Sequence, residues 1–166
     1  MKKHSTFGIG GETAVLLLPK KTLEIKKILE YSSKNDINIF FMGSGSNLLI
    51  SDNGFNGIII SLKKTFKKME FSNDGDIIVE SGVMLGSMVK EAIKRKLKGL
   101  ESLVGVPGTL GGALYMNAGA YGREISKWFI SARIMGMNGE ERKILKNDID
   151  FFYRGSTFPK NCLSKK

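Results

Sequence analysis

Gly105-Val106-Pro107-Gly108-Thr109-Leu110-Gly111-Gly112-Ala113-Leu114-Tyr115-Met116-Asn117-Ala118-Gly119-Ala120-Tyr121-Gly122 is the stretch on which the reading of this chain turns. Six glycines and one proline fall within these eighteen residues. Each glycine forfeits backbone entropy and side-chain packing, so neither a plain amphipathic helix nor a strand runs through the whole stretch. Val106, Leu110, Leu114, Tyr115 and Met116 nevertheless carry apolar surface to bury, which excludes a floppy linker. The expectation is a loop, turn and helix whose backbone comes close to something large. Where Cβ atoms are missing, main-chain N–H groups reach phosphates or a ring system, and a bound cofactor is the natural candidate.

Working back along the chain, a second glycine cluster makes the same point. Phe41-Met42-Gly43-Ser44-Gly45-Ser46-Asn47-Leu48-Leu49-Ile50 follows an apolar run, Ile37 to Met42, that reads as a buried strand. Gly-Ser-Gly-Ser-Asn then offers small residues, free amides, two hydroxyls and an Asn side chain at a strand's end. Such a turn can form a nest of N–H groups around a pyrophosphate. The pattern is neither G-x-G-x-x-G nor a Walker loop, and by itself it also describes an ordinary turn. Two such loops in one small chain, each beside apolar structure, point to a dinucleotide.

A chain of 166 residues makes one ordinary domain or two small lobes with a real core. Its 42% hydrophobic and 25% charged content are those of a folded protein. No run of about 18 apolar residues is present, so no membrane helix is expected. The basic start, Met1-Lys2-Lys3-His4-Ser5, meets Gly8 to Glu12 before any signal-like apolar region develops. The one cysteine, Cys162, excludes an internal disulfide and fits a reducing cytoplasm, where the protein is expected. The net charge of +10 favours anionic partners. Its lysines, however, lack the interleaved aromatics of a stacking platform, so solvated basic faces are expected rather than a nucleic-acid interface.

Thr13 to Leu18, closed by Pro19, reads as a strand, and Thr22 as the N-cap of a helix that presents Ile25, Ile28, Leu29 and Ser32 on one face to about Asn35. Ile37 to Met42 and Gly57 to Leu62 complete a β-α-β-β unit whose glycine loop lies at a strand's carboxyl end, where α/β sheets place ligands. Lys67 to Ser72 and Asp76 to Glu80 form a hairpin across Asn73-Asp74-Gly75. Leu85, Met88, Val89, Ala92 and Ile93 mark the best helix of the chain. Phe129 to Met137 reads as a strand turning at Asn138-Gly139 into Glu140 to Leu145. The expected fold is α+β in two lobes, 1–66 and 67–150, each offering one glycine loop to a shared cleft, with 151–166 beginning a further region.

His4, the only histidine, lies near a terminus and receives no role, and no Cys/His/Asp/Glu spacing resembles a metal site. Glu80, Glu101 and Glu124 abut glycine-rich segments, where solvated or capping roles are expected. In Phe151-Phe152-Tyr153-Arg154-Gly155-Ser156-Thr157-Phe158 an Arg sits among aromatic residues. Held against rings, it is a fixed cation for a carboxylate or phosphate, which its fork binds bidentately. Packing over a Tyr or Phe for cation–π stability alone is the other reading.

Four segments together resemble the UDP-N-acetylenolpyruvoylglucosamine reductase family, flavoenzymes of peptidoglycan precursor synthesis. They are Thr6-Phe7-Gly8-Ile9-Gly10-Gly11, Gly43 to Leu49, Gly105 to Gly122, and Tyr153-Arg154-Gly155-Ser156. The resemblance covers nearly the whole chain to Phe158. It implies non-covalent FAD between two α+β subdomains of the vanillyl-alcohol oxidase type. Gly43, Ser44, Gly45, Ser46, Asn47 and Leu48 would hold the pyrophosphate. Gly105, Val106, Pro107, Gly108, Thr109, Gly111 and Gly112, with Asn117, Ala118, Gly119 and Ala120, would line the flavin. NADPH would reduce it, and hydride would pass to the enolpyruvyl double bond of a UDP-sugar.

By the same resemblance, Arg154 would be catalytic, stabilising the developing negative charge through the substrate carboxylate. Tyr153 and Ser156 would bind substrate. Members of the family are nearly twice as long, and a proton-donating serine and an assisting glutamate are expected in their further domain. Pro159 to Lys166 does not read as the strand expected there, and neither role is carried to Ser164. A separate chain supplying that domain, or an FAD- or nucleotide-binding module without turnover, is the alternative expectation.

Overall fold

The computed structural model describes residues 1–158; Cys162, Ser164 and the polar tail lie outside the described residues. The first unit opens with β1 (Thr13–Leu17), α1 (Thr22–Lys34), β2 (Ile39–Met42) and β3 (Phe55–Ser61). The three strands form one parallel sheet in the order β1-β3-β2. The central strand β3 is buried from Gly57 to Ser61, with Ile59 and Ile60 closed to solvent. A central parallel strand covered on both faces reads as a continuous apolar run, which is what Ile58-Ile59-Ile60 supplies. The run ending at Met42 is instead an edge strand: Phe40 and Phe41 stay exposed and only Met42 is buried, because β2 has one neighbour.

Helix α1 buries Ile25, Leu29 and Ser32, and its N-cap is Lys21, not Thr22. Lys21 makes no side-chain cap, and the Lys20 N–H donates instead to Glu24 Oε2 at 2.6 Å. The helix stops at Asn35, where Asp36 takes a φ of 51°.

Beyond this sheet, β4 (Met69–Phe71) and β5 (Ile77–Val79) pair antiparallel. Helix α2 (Leu85–Lys94) follows and buries Leu85, Met88, Val89 and Ala92, while Ile93 remains exposed. After a 3-10 turn at Leu100–Leu103 come α3 (Leu110–Tyr115), β6 (Gly119–Ala120) and β7 (Arg123–Glu124). A further 3-10 turn (Ile125–Trp128) leads to the hairpin of β8 (Ser131–Met135) and β9 (Glu141–Leu145). Both longer hairpins turn the same way. Gly75 (φ 88°) and Gly139 (φ 77°) donate to the carbonyls of Ser72 and Gly136, and the strands then re-pair through Ser72 N–H to Asp76 and Gly136 N–H to Glu140. This is the three-residue connection with a left-handed glycine, not a two-residue Asn-Gly turn.

The main apolar cluster joins α2, the 100–103 turn and α3 through Val83, Leu85, Met88, Val89, Leu103, Leu110, Ala113, Ala118 and Ile125. It therefore anchors both ends of the long glycine segment. A second cluster is aromatic: Phe129, Phe151 and Phe158 meet edge to face with centroids 5.5 to 5.8 Å apart. Phe129 belongs to this cluster and not to β8, which begins two residues later. The last strands among the described residues are the short hairpin of β10 (Phe151–Phe152) and β11 (Gly155–Ser156).

Candidate functional site

The first glycine loop leaves β2 at the carboxyl end of the parallel sheet. The Ser61 hydroxyl, buried at the end of β3, donates to the Gly43 carbonyl at 3.3 Å, and the Ser44 and Ser46 hydroxyls lie 3.4 Å apart. Among the described residues, the main-chain N–H groups of Ser44, Gly45, Ser46, Asn47 and Leu48 have no protein acceptor. Such a run of unpaired donors in a small-residue turn is the raw material of an anion nest. Gly45 has a further reason to be glycine. Its φ is 79°, and a Cβ there would stand 2.1 Å from the His4 carbonyl oxygen, while the Thr6 N–H donates to Gly45 O at 3.0 Å. The N-terminal segment thus braces the loop from behind.

The second segment begins where Gly108 (φ 127°) accepts from the Leu85 N–H at 2.9 Å. Thr109 caps α3, its Oγ1 accepting from Gly112 N at 3.4 Å. Gly111 donates to Ser81 O at 2.9 Å, and a Cβ on it would stand 3.0 Å from Ser81 Cβ. The two glycine segments meet. A Cβ on Gly43 would lie 2.5 Å from Thr109 Oγ1, and one on Gly108 would lie 3.3 Å from Ser46 Oγ. Gly105 faces open space, and a Cβ on Gly112 would meet only Thr109 Oγ1, at 3.6 Å. Pro107 is exposed, whereas Val106 packs on the main apolar cluster. The fold therefore brings the two loops to one place, with unpaired amides and Cβ-free backbone around it.

The third segment is the β10–β11 hairpin, whose turn holds Tyr153 and Arg154. Arg154 adopts a φ of 57°, donates from Nη1 to the Gly119 carbonyl at 3.3 Å, and places its guanidinium carbon 5.2 Å from the centre of the Tyr153 ring. The ring contact and the polar contact thus coexist, and the side chain remains exposed beside the glycine segment. Ser156 is buried, and its hydroxyl donates to Tyr115 O at 2.8 Å. Asn117 is also buried, with both side-chain ends bonded to protein groups. Ala118 is part of the apolar core, and Gly119 and Ala120 line a cavity of about 590 Å³ together with Tyr153 and Arg154.

Sequence reasoning missed most of this cavity's charge. Arg123, Lys127 and Lys146 join Arg154 around it, with Glu124 as the carboxylate among them. No motif signals these cations, because they come from three separate elements. Glu124 does not cap or face water alone: it accepts from Asn117 Nδ2 at 2.8 Å. Glu101 does serve as a cap, accepting from the Gly99 N–H at 2.8 Å; main-chain N–H groups of Glu101 and Gly99 hold its carboxyl below the usual carboxylate range. Glu80 Oε2 accepts from Lys68 N at 2.8 Å. His4 contributes its main chain to Gly45. Among the described residues no group of three His, Cys, Asp or Glu side chains could hold a metal ion, and no helix is long and apolar enough to cross a membrane.

Residues 13–144 match the model of a family described as FAD binding domain, and the chain belongs to that family. Within it the sequence is similar to UDP-N-acetylenolpyruvoylglucosamine reductases. It is 40% identical over 162 residues to the one from Clostridium tetani and 40% identical over 161 residues to the one from Clostridioides difficile, covering 97% of this chain in both cases. The chain spans about half the length of these relatives, 52% and 53% respectively. The crystal structure of UDP-N-acetylenolpyruvylglucosamine reductase from Thermus caldophilus superimposes with a TM-score of 0.74 at 28% identity, covering 96% of this chain and 56% of that one. A solvent-stable cholesterol oxidase shares the fold at a TM-score of 0.68 and 17% identity, over 81% of this chain and 30% of its own. The α+β fold of this FAD-binding family is thereby shared with cholesterol oxidases.

Proposed function

We propose that this chain holds FAD across its two glycine segments and forms the cofactor-binding part of a UDP-N-acetylenolpyruvoylglucosamine reductase. The observation that carries this reading is the run of unpaired N–H groups from Ser44 to Leu48, set against the Cβ-free backbone of Gly105, Gly108 and Gly112. The residues present fit FAD: the 43–48 loop offers donors to a pyrophosphate, and residues 105–112 with 117–120 offer a close backbone approach to the ring system. The Asn117 and Ser156 side chains serve the protein interior, so at these two positions contact with cofactor or substrate falls to the main chain. The corresponding division is a cofactor unit of 1–66 and 67–150, with a substrate region beginning at 151.

Bound FAD supplies the hydride transfer, with NADPH as the reductant. The chain's own contribution to the chemistry is Arg154. Docked on the Gly119 carbonyl and the Tyr153 ring, it presents a permanent cation to a substrate carboxylate and lowers the energy of negative charge that develops there. Lys127, Lys146 and Arg123 add positive potential to the same cavity, suiting a UDP-linked sugar acid. A cytoplasmic location for the protein is part of this reading.

The test is the visible absorbance spectrum of the purified protein after addition of FAD and desalting. A retained, structured flavin band is expected. Its absence from a protein shown by circular dichroism to be folded overturns the reading. Flavin reduction by NADPH without turnover of the enolpyruvyl sugar would assign this chain the cofactor half-reaction alone.

A further inference from the structure

We propose that Asn117 and Glu124 form a clamp that positions the Arg154 hairpin against the second glycine segment. The inference rests on the functional reading only for why Arg154 needs a fixed place; the clamp itself is read from the geometry.

The hairpin cannot place itself. It has two paired positions, Phe151 with Ser156 and Phe152 with Gly155, and a turn in which Arg154 adopts a left-handed φ of 57°. Hairpins of this size are marginal in water, and a left-handed Arg is strained. Its position must therefore come from what it docks on: Ser156 bonds Tyr115 O and Phe151 packs on Phe129 at its base, while Asn117 holds the main chain next to the turn. Asn117 is 1% exposed and sits at the end of α3 with a φ of 44°. Its Nδ2 donates one hydrogen to the Phe152 carbonyl at 3.1 Å and the other to Glu124 Oε2 at 2.8 Å. Its Oδ1 accepts from the Ser126 N–H at 3.3 Å.

Three pieces of chain are thus joined through a single amide: the glycine segment, the β7-to-127 stretch, and the residue immediately before Tyr153 and Arg154. The chemistry is specific. Asp at position 117 has no donor and would face the Glu124 carboxylate, and Gln would move the amide outward by a methylene. Glu124 matters because it accepts one Nδ2 hydrogen and so directs the other at Phe152 O. Asn117 and Arg154, on either side of this link, both hold a positive φ that non-glycine residues rarely adopt. Asn117 and Glu124 are positioning residues: they act on the site through the hairpin.

Trypsin reads the hairpin directly, because Arg154 lies in its exposed turn and precedes Gly155. The comparison uses Asn117→Gly, which removes the side chain but tolerates the backbone angle, with Glu124→Ala and Glu124→Gln. Cleavage after Arg154 is expected to rise about tenfold in Asn117→Gly and Glu124→Ala, as local opening becomes about 1.4 kcal/mol easier. Cleavage after Lys64, in the turn following β3, is expected to stay unchanged. Glu124→Gln keeps a carbonyl acceptor and should remain within about twofold of the parent.

Unchanged cleavage at Arg154 overturns the clamp. So does equal acceleration at Arg154 and Lys64, which would make Asn117 a residue of general stability. A Glu124→Gln variant as labile as Glu124→Ala overturns it as well. Should Asn117→Gly fail to fold, the two Glu124 variants, at a partly exposed position, decide the matter. A flavin spectrum taken on the same samples separates the two readings: loss of FAD binding by the parent removes the functional reading, while the cleavage ratio still judges the clamp.

Discussion

Gly43 and Arg154 make opposite predictions because they touch different things. Gly43 has an ordinary backbone angle, and its only obstacle to a side chain is Thr109 Oγ1, 2.5 Å from where a Cβ would stand. Gly43→Ala therefore pushes the two glycine segments apart without straining the chain. FAD affinity is expected to fall about tenfold, a change of about 1.4 kcal/mol measurable by fluorescence titration. Arg154→Ala removes a cation outside the loops. It should leave FAD affinity within about twofold and abolish the flavin's spectral response to the enolpyruvyl sugar, as loss of a charge-stabilising group typically costs about a hundredfold or more in rate. Retained response in Arg154→Ala would return that side chain to stacking on Tyr153. Gly45→Val acts differently again. The His4 carbonyl occupies the space its side chain needs, so the variant should lose the brace of the N-terminal segment, and its melting temperature should fall along with FAD binding.

Among the elements, α3 and β3 do the positioning. Thr109 caps α3 through Gly112 N while standing against Gly43, so a single hydroxyl serves both a helix end and the meeting of the loops. Thr109→Ala should cost about 1 kcal/mol by urea unfolding, and Thr109→Ser should recover most of it. Strand β3 carries the parallel sheet, and truncating Ile60, closed to solvent, should cost about 2–5 kcal/mol in the same measurement. The Gly99 cap predicts a pH effect. Glu101 has its pKa lowered in the folded chain by main-chain donors, so its contribution is full above the ordinary value of 4.5 and disappears as pH falls through the lower folded value. Melting temperatures of wild type and Glu101→Gln should therefore differ at pH 7 and converge as pH falls from 4.5 through the lower folded value.

The whole molecule is coupled through the meeting of its two glycine segments, since each is anchored in different structure: the parallel sheet on one side, the α2–α3 cluster on the other. A ligand that bridges them should stabilise the fold globally. At a hundredfold excess over its Kd, FAD is expected to add about 2.7 kcal/mol. For a chain of this length that corresponds to about 5–10 °C in melting temperature, readable by circular dichroism. A shift confined to one of two separable transitions would show that only one anchor senses the cofactor.

Much of this was legible in the order of residues. Helices α1 and α2 follow from apolar spacing, both longer hairpins from Asn-Asp-Gly and Asn-Gly, and the loop at the end of β2 from its Gly-Ser repeat, because these signals depend on neighbours within a turn or two of chain. The density of glycine likewise announced a close backbone approach. What needed the tertiary structure was every feature made by distant segments. Phe40 and Phe41 are exposed because β2 has only one strand beside it; Gly45 is required by the His4 carbonyl; the Ser156 and Asn117 side chains turn inward to Tyr115, Phe152 and Glu124. The cationic cavity of Arg123, Lys127, Lys146 and Arg154 exists only once those elements are packed together. Local sequence sets which backbone conformations are cheap, whereas the occupant of the space beside each residue is decided by packing across the fold.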